Sequence, residues 1–334
     1  MKKTYYLFNP GRLSRKDNTL KFQFFDEDGN EKQARYIPIE TIDNLYCFGS
    51  LDANSALYNF LGKNNITVHF FDYYEHYTGS FLPKDYLLSG KVIVAQVKNY
   101  IDKNKRLKIA QKIVDAAAFN LEKNLKYYKN RDKISEDYLK QIEQLHSKVF
   151  LSTSIDELMG IEGNIRNIYY SSFNEILNEF EFDVRTKRPP KNEVNAMISF
   201  LNMICYTLCI DMIYHTQLNP TISFLHEPGE RRFSLALDLS EIFKPILVDR
   251  LIFSLINKKQ VQIDDFDNKL NYCVIKDKAK KTIVQSWDEK LSTTIKHRSL
   301  NRNVSYKNLV KLECYKLVKH IMNLEEYKPF KAWW

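Results

Sequence analysis

Three places in the second half of the chain carry residue types that do chemistry together: Glu162 in MGIEGNIRNIYY, His226 in ISFLHEPGERRFS, and the pair Asp238 and Glu241 in LALDLSEIFKP. Spaced i and i+3, Asp238 and Glu241 share one face of a helix and present two carboxylates to a single cation. A histidine with two or three carboxylates and no thiolate is a hard, mostly oxygen donor set, which suits Mg²⁺ or Mn²⁺ and argues against structural zinc. Such an ion serves phosphoryl chemistry. Each residue alone has a plainer reading. Glu162 reads as a solvated helix residue, and His226, which ends the apolar stretch TISFL before Pro228 and Gly229, as a structural hydrogen bonder. The acidic pair reads as first-turn charge favoured by the helix dipole. Pro245 leans the other way: it has no N–H to bond the Glu241 carbonyl, so the helix is expected to bend one turn past the pair and open that face toward a ligand.

Basic residues surround these positions. Arg166, Arg185, Lys187, Arg188, Arg231 and Arg232 are placed to neutralise a phosphate backbone entering the site, a task for which the arginine fork is well shaped. Lysine-dense stretches at Lys103, Lys105, Arg106, Lys108 and Lys112, and at Lys276, Lys278, Lys280 and Lys281, extend the track or form ordinary solvated helix faces. The formal net charge of +9 and the 13% aromatic content suit a polyanionic partner, and suit plain solubility equally well.

The elements that must position these residues fall into two groups. Residues 4–81 alternate β-prone runs (TYYLFN, TLKFQFFD, QARYIPI, LYCFG, ITVHFFD) with turn signals, including a hairpin turn at DEDGN, where Gly29 accepts positive φ. Residues 50–62 predict a short helix capped by Ser50 or Asp52 and ended by Gly62. Beyond Gly79 and Pro83 the apolar spacing turns helical, with helices predicted at about 87–128, 135–149, 154–179, 191–216, 239–257 and 306–324. The expected fold class is therefore α+β: a small N-terminal β-rich domain over 1–82, a linker at 83–90, and a larger all-helical catalytic domain over 91–334. With 44% hydrophobic residues, 9 Gly and 9 Pro, the chain supports buried cores and excludes a disordered or turn-dense all-β protein. The 5 cysteines, Cys47, Cys205, Cys209, Cys273 and Cys314, lack paired zinc spacing and indicate a reducing compartment. No signal-peptide pattern opens the chain and no run of about eighteen uninterrupted apolar residues occurs, so a cytoplasmic protein without a membrane partner is expected.

Taken in order, the motifs resemble the Cas1 family of CRISPR integrases. The resemblance rests on Glu162–Gly163, the basic segment KRPPKNEVNAMISF with Arg188 to Phe200, Leu225–His226, and the run SLALDLSEIFKP ending in Val248, Asp249 and Arg250. Earlier motifs are similar too: Gly11 to Leu13, Ile37–Pro38, Phe48–Gly49, Phe71–Asp72, then Gly79 and Phe81; the tail YKPFKAWW resembles an ending found in one branch of the family. The resemblance implies a β domain followed by a helical domain that carries the active site. It places metal ligands on Glu162, His226 and Glu241, with Asp238 second, around Mg²⁺ or Mn²⁺. It implies strand transfer by the 3′-hydroxyl of a short DNA duplex, the prespacer, into a CRISPR repeat. It also implies a homodimer built through the N-terminal domain and assembled on a small Cas2 partner. Two other readings use the same residues: a metal-dependent nuclease with water as nucleophile, and a non-catalytic DNA-binding scaffold whose acids only cap helices.

Overall fold

The structure, a computed structural model of the chain, describes residues 2–26, 30–84, 87–177, 179–229, 233–269 and 272–333. The chain divides into two units, Met1–Tyr86 and Leu87–Trp334. The first is β-rich. Strands β1 (Lys3–Leu7), β5 (Ile42–Cys47), β7 (Thr67–Phe71) and β8 (Tyr77–Phe81) form one sheet in the order β1-β5-β7-β8. The first three are mutually parallel, and β8 returns antiparallel to β7. A second sheet has the order β4-β3-β2-β6, from β2 (Gly11–Lys16), β3 (Thr19–Phe24), β4 (Arg35–Pro38) and β6 (Leu51–Asp52). Leu13, Leu20, Phe22, Ile37, Ile42, Leu45 and Val68 belong to one buried cluster that also takes Leu57 and Leu61 from helix α1 (Ser55–Lys63). At Gly11 a Cβ would meet the Phe22 ring at 2.3 Å, so glycine there is a requirement of the β2–β3 pairing.

Two local expectations change. Asn54, rather than Ser50 or Asp52, caps α1 by accepting the Leu57 N–H at 3.0 Å, because Leu51–Asp52 is drawn into the sheet beside Gly11 and Arg12. Gly62 lies inside that helix, which ends at Asn64. The hairpin tip at Gly29 lies outside the described residues; its flanks are joined by Asn30 N–H to Asp26 Oδ1 at 2.7 Å.

In the second unit the helices are α2 (Gly90–Ile101), α3 (Lys103–Lys129), α4 (Glu136–His146), α5 (Ile155–Ser171), the single turn α6 (Phe173–Ile176), α7 (Glu193–Tyr214), α8 (Ser234–Lys244), α9 (Arg250–Asn257), α10 (Asp277–Ser292) and α11 (Tyr306–Ile321). The helix expected over 87–128 is two, divided at Asp102, whose carboxylate accepts from the Asn104 and Lys105 N–H groups and so starts α3. The unit is mostly rather than wholly helical. Two ribbons, β9 (Phe266–Lys269) with β10 (Tyr272–Ile275) and β11 (Thr294–Lys296) with β12 (Asn303–Ser305), flank α10, a helix whose lysine-rich face hid its apolar spacing. Apolar on nearly every side, α7 is the core helix. By length and composition it is long and apolar enough to cross a membrane, and 78% of its apolar window is buried inside the unit.

After α11 the chain follows no regular element yet is buried at Tyr327, Phe330 and Ala332. Phe330 stacks on Phe243 of α8 with ring centres 5.6 Å apart. Asn120 of α3 donates to the Ile242 and Phe330 carbonyls at 2.9 and 3.2 Å and accepts from Ala332 N–H at 2.8 Å. The tail therefore braces α8 from behind.

Candidate metal centre

Helix α5 starts where the Ser154 hydroxyl accepts the Glu157 N–H at 3.2 Å. Its buried stripe, Leu158, Ile161, Ile165 and Tyr169, follows the 3.6-residue period, and Glu162 lies at the edge of that stripe. Helix α8 begins at Ser234, earlier than its apolar pattern suggested, so Asp238 and Glu241 sit in mid-helix and not in the dipole-favoured first turn. The capping explanation for the acidic pair falls with that shift.

Glu162 and Glu241, on different helices, meet the same guanidinium: Arg166 contacts Glu162 through Nε and Glu241 through Nη2. Lys244, one turn after Glu241, holds its other oxygen at 2.6 Å. Burial raises the Glu162 carboxyl pKa, but Arg166, Lys244 and His226 outweigh it and hold that carboxyl below its usual range. His226, the third expected residue, is linked to the pair by this electrostatic effect on Glu162. Burial, then Arg166, pushes the Lys244 ammonium down to about 8.

His226 is fixed by Asp238. The fully buried carboxylate accepts Phe224 N–H at 2.7 Å and Leu225 N–H at 2.9 Å on Oδ2, and His226 N–H and Nδ1 on Oδ1, each at 2.9 Å. A carboxylate only accepts, so Nδ1 carries a proton and Nε2 is the nitrogen left to face a ligand. These bonds give Asp238, the second-ranked of the expected ligands, the part of an orienting group for His226. The loop is also held from α2 and α3: Gln96 donates to the Asn219 and Ile222 carbonyls at 3.0 and 2.7 Å, and Arg106 donates to the Phe224 carbonyl at 2.9 Å and pairs with Glu227.

Past Lys244 the helix widens into a π-helical turn, Pro245–Asp249, closed by Arg250 N–H bonding the Pro245 carbonyl. The missing proline donor thus changes the helical register in place of a simple bend. Asn124 of α3 secures this turn, donating to the Pro245 carbonyl at 2.7 Å and to the Tyr169 hydroxyl at 3.0 Å. Asp249 ends the turn inside the unit, where burial raises its carboxyl to about 7 against the pull of Arg166.

The other expected residues divide. Arg166 lies between the acids instead of facing outward. Arg185 is committed internally, to the Thr186 carbonyl, Asn195 Oδ1 at 2.9 Å and Ser199 Oγ at 3.0 Å. Lys187 and Arg188 are exposed, and the Lys187 ammonium is lowered by burial and by Arg185, Lys244 and Arg166. Arg231 and Arg232 lie outside the described residues. Within the lysine-rich stretches, Arg106 and Lys112 are paired with Glu227 and Glu326, and Lys276 and Lys280 with Asp267 and Asp277. Lys244 had a legible signal, its i+3 spacing from Glu241, and Arg106 showed only as one of a basic stretch; Asn120 and Asn124 had none, because their roles exist only once α3 packs against Ile242 and Pro245.

The donor chemistry fits a hard divalent ion: two carboxylates, and an imidazole whose second nitrogen is already bonded to a carboxylate. Among the described residues no group of three His, Cys, Asp or Glu stands arranged as ligands; Arg166 and Lys244 lie against the carboxylates instead. Binding an ion there exchanges one set of positive charges for another.

The profile of the family described as "CRISPR associated protein Cas1" matches residues 5–289. A relative from Thermodesulfovibrio yellowstonii, named CRISPR-associated endonuclease Cas1 3, is 46% identical over 99% of this chain and 100% of its own. A solved CAS1 protein from Thermotoga maritima is 36% identical with a TM-score of 0.85, covering 98% of this chain and 100% of that one. A casposase bound to integration product, 21% identical, shares the fold at a TM-score of 0.84 over 99% of this chain and 94% of its own.

Proposed function

The chain belongs to the Cas1 family of CRISPR-associated proteins, and from that premise we propose that it is a metal-dependent DNA integrase. It joins the 3′-hydroxyl of a short DNA duplex to a strand of a CRISPR repeat by transesterification. The observation that carries this reading is the meeting of Glu162 and Glu241, from separate helices, at one guanidinium, with His226, locked by Asp238, acting electrostatically on Glu162. Glu162, His226 and Glu241 would hold Mg²⁺ or Mn²⁺, which when bound supplies positive charge at the attacked phosphate. Asp238 keeps His226 in one orientation, Arg166 and Lys244 pair with Glu241 while Arg166 holds Glu162 ionised, and the exposed Lys187 and Arg188 receive the incoming backbone. In the reaction a new phosphodiester forms at the 3′-oxygen as the target strand's own phosphodiester breaks, so no covalent protein intermediate is needed.

The relatives' name, endonuclease, favours a second reading in which water replaces the 3′-hydroxyl at the same centre. Incubation of a duplex bearing free 3′-hydroxyls with repeat-containing DNA, in Mg²⁺ or Mn²⁺ and with chelator, separates them. Covalent joining that chelator abolishes is the expected result. Cleavage without joining transfers the assignment to a nuclease; no chelator-sensitive product leaves a DNA-binding scaffold.

We also infer a homodimer through the β-rich unit, assembled on a Cas2 protein, since two ends of one fragment need two centres. Tyr73 and Tyr74, 88% and 69% exposed at the β7–β8 turn, offer that unit an aromatic contact. A mass that stays at 39.6 kDa across micromolar concentrations, with and without Cas2, overturns the assembly.

A further inference from the structure

Arg250, the last residue of the Val248–Arg250 motif, has no part in the metal centre. Its guanidinium lies 5.8 Å from the centre of the Tyr127 ring, and Arg131 covers the same ring at 3.7 Å. Lys290 of α10 lies over Tyr306 at 4.5 Å. Arg250, held near Tyr127, also acts electrostatically on Tyr128, Lys290 and Tyr306. Helices α3, α9, α10 and α11, with Arg131 in the turn just past α3, thus bring three cations and three tyrosines into one cluster, whose recess reaches solvent at Tyr127, 43% exposed.

What distinguishes the recess is its missing acid. Among the described residues no carboxylate pairs with Arg250 or Lys290, and the Lys290 ammonium, half-buried, is pushed down to about 8 by burial and then by Arg250. Comparably sheltered lysines of the same unit have partners: Lys112 with Glu326, Lys316 with Glu313, Lys280 with Asp277. Sheltering an arginine and a lysine together without a counter-charge costs free energy that a bound anion removes. An arginine fork beside a lysine point charge matches phosphate oxygens.

We propose that Arg250 and Lys290, with Arg131 at the rim, form a phosphate-binding recess that takes a backbone phosphodiester of duplex DNA. The choice of DNA as the source rests on the function proposed above. Arg250 follows Glu241 by nine residues of nearly continuous helix. That is about 13 Å along the axis, a span that about four base pairs cover.

The test compares the full-length Arg250→Gln/Lys290→Gln variant with the charge-conserving Arg250→Lys/Lys290→Arg variant, following duplex binding by fluorescence anisotropy across a salt series. The glutamine pair is expected to bind about tenfold more weakly at low salt, with a log–log salt slope shallower by about one to two, while the conserving pair keeps the parent slope. A glutamine pair that matches the parent in affinity and slope overturns the proposal. If the parent protein itself fails to bind duplex, the integrase reading fails first, and a second measurement judges the recess alone. Thermal melting in inorganic phosphate against chloride at equal ionic strength then decides. Stabilisation of the parent but not of the glutamine pair keeps a phosphate site and overturns DNA as its source; no stabilisation of either overturns the site.

Discussion

Around His146 each inward carboxylate oxygen has its own cation: Asp115 meets His146 Nε2 at 2.9 Å and Lys331 at 2.8 Å, and Glu122 meets His146 Nδ1 at 2.5 Å and Lys126 at 3.3 Å. Around Arg166 the same residue types do not settle so evenly. Two glutamates share one guanidinium, Lys244 is pushed down to about 8, and Asp249 is pushed up to about 7. Both clusters join separate helices. The first is complete as it stands and raises its histidine to about 9, the two carboxylates overcoming the cost of burial. The second leaves two acids sharing one cation. Displaced pKa values occur in both clusters, so it is the even or uneven matching of acids with cations that separates them.

Substitutions should separate the two clusters. His226→Ala should reduce strand joining by more than about 10²-fold, since loss of a direct ligand exceeds the loss from its orienting partner. Its circular dichroism and duplex affinity should stay at parent values, and a variant that keeps joining DNA removes His226 from the centre. Asp238→Asn should cost about 10- to 100-fold, with part of the loss recovered at raised Mn²⁺, because it frees the imidazole without deleting it. An unchanged metal dependence would show that Asp238 only closes the loop.

His146→Gln inverts the pattern, leaving the rate per folded molecule unchanged and lowering stability by about 3 kcal/mol, because Asp115 and Glu122 lose their shared partner. The pH dependence follows from the sign of the shift. His146 binds its proton more tightly when folded, so its stabilisation is full below pH of about 6.5 and fades as pH rises through about 9. Melting temperature should fall over that window in the parent and lose this component in His146→Gln; parallel curves would refute the clamp. The smallest effect belongs to Lys331→Ala, under about 1 kcal/mol, because that lysine is 38% exposed and its pair with Asp115 is screened. A larger destabilisation in urea melts would mean that Lys331 fastens the tail by itself.

By itself the sequence determined the elements and the reactive types: a β-rich start, helical periodicity thereafter, Glu162, His226 and Glu241 as oxygen and imidazole donors, and Pro245 as a break in α8. Those follow from local rules, since side-chain period, turn residues and a missing N–H act within a few residues of themselves. Their standing toward one another was decided only by tertiary packing. Asp238 and Glu241 read as equivalent acids at i and i+3. Packing turned one to four donors of the 224–226 loop and the other to Arg166 and Lys244. Arg166 and Arg185 read as backbone-binding cations, and burial made them internal partners. Asn120 and the Tyr327, Phe330 and Ala332 tail gave no chemical signal, yet they brace the helix that carries Glu241. A residue type sets which bonds a side chain is able to make; which of them it makes depends on partners that lie far away in the chain and arrive only with the fold.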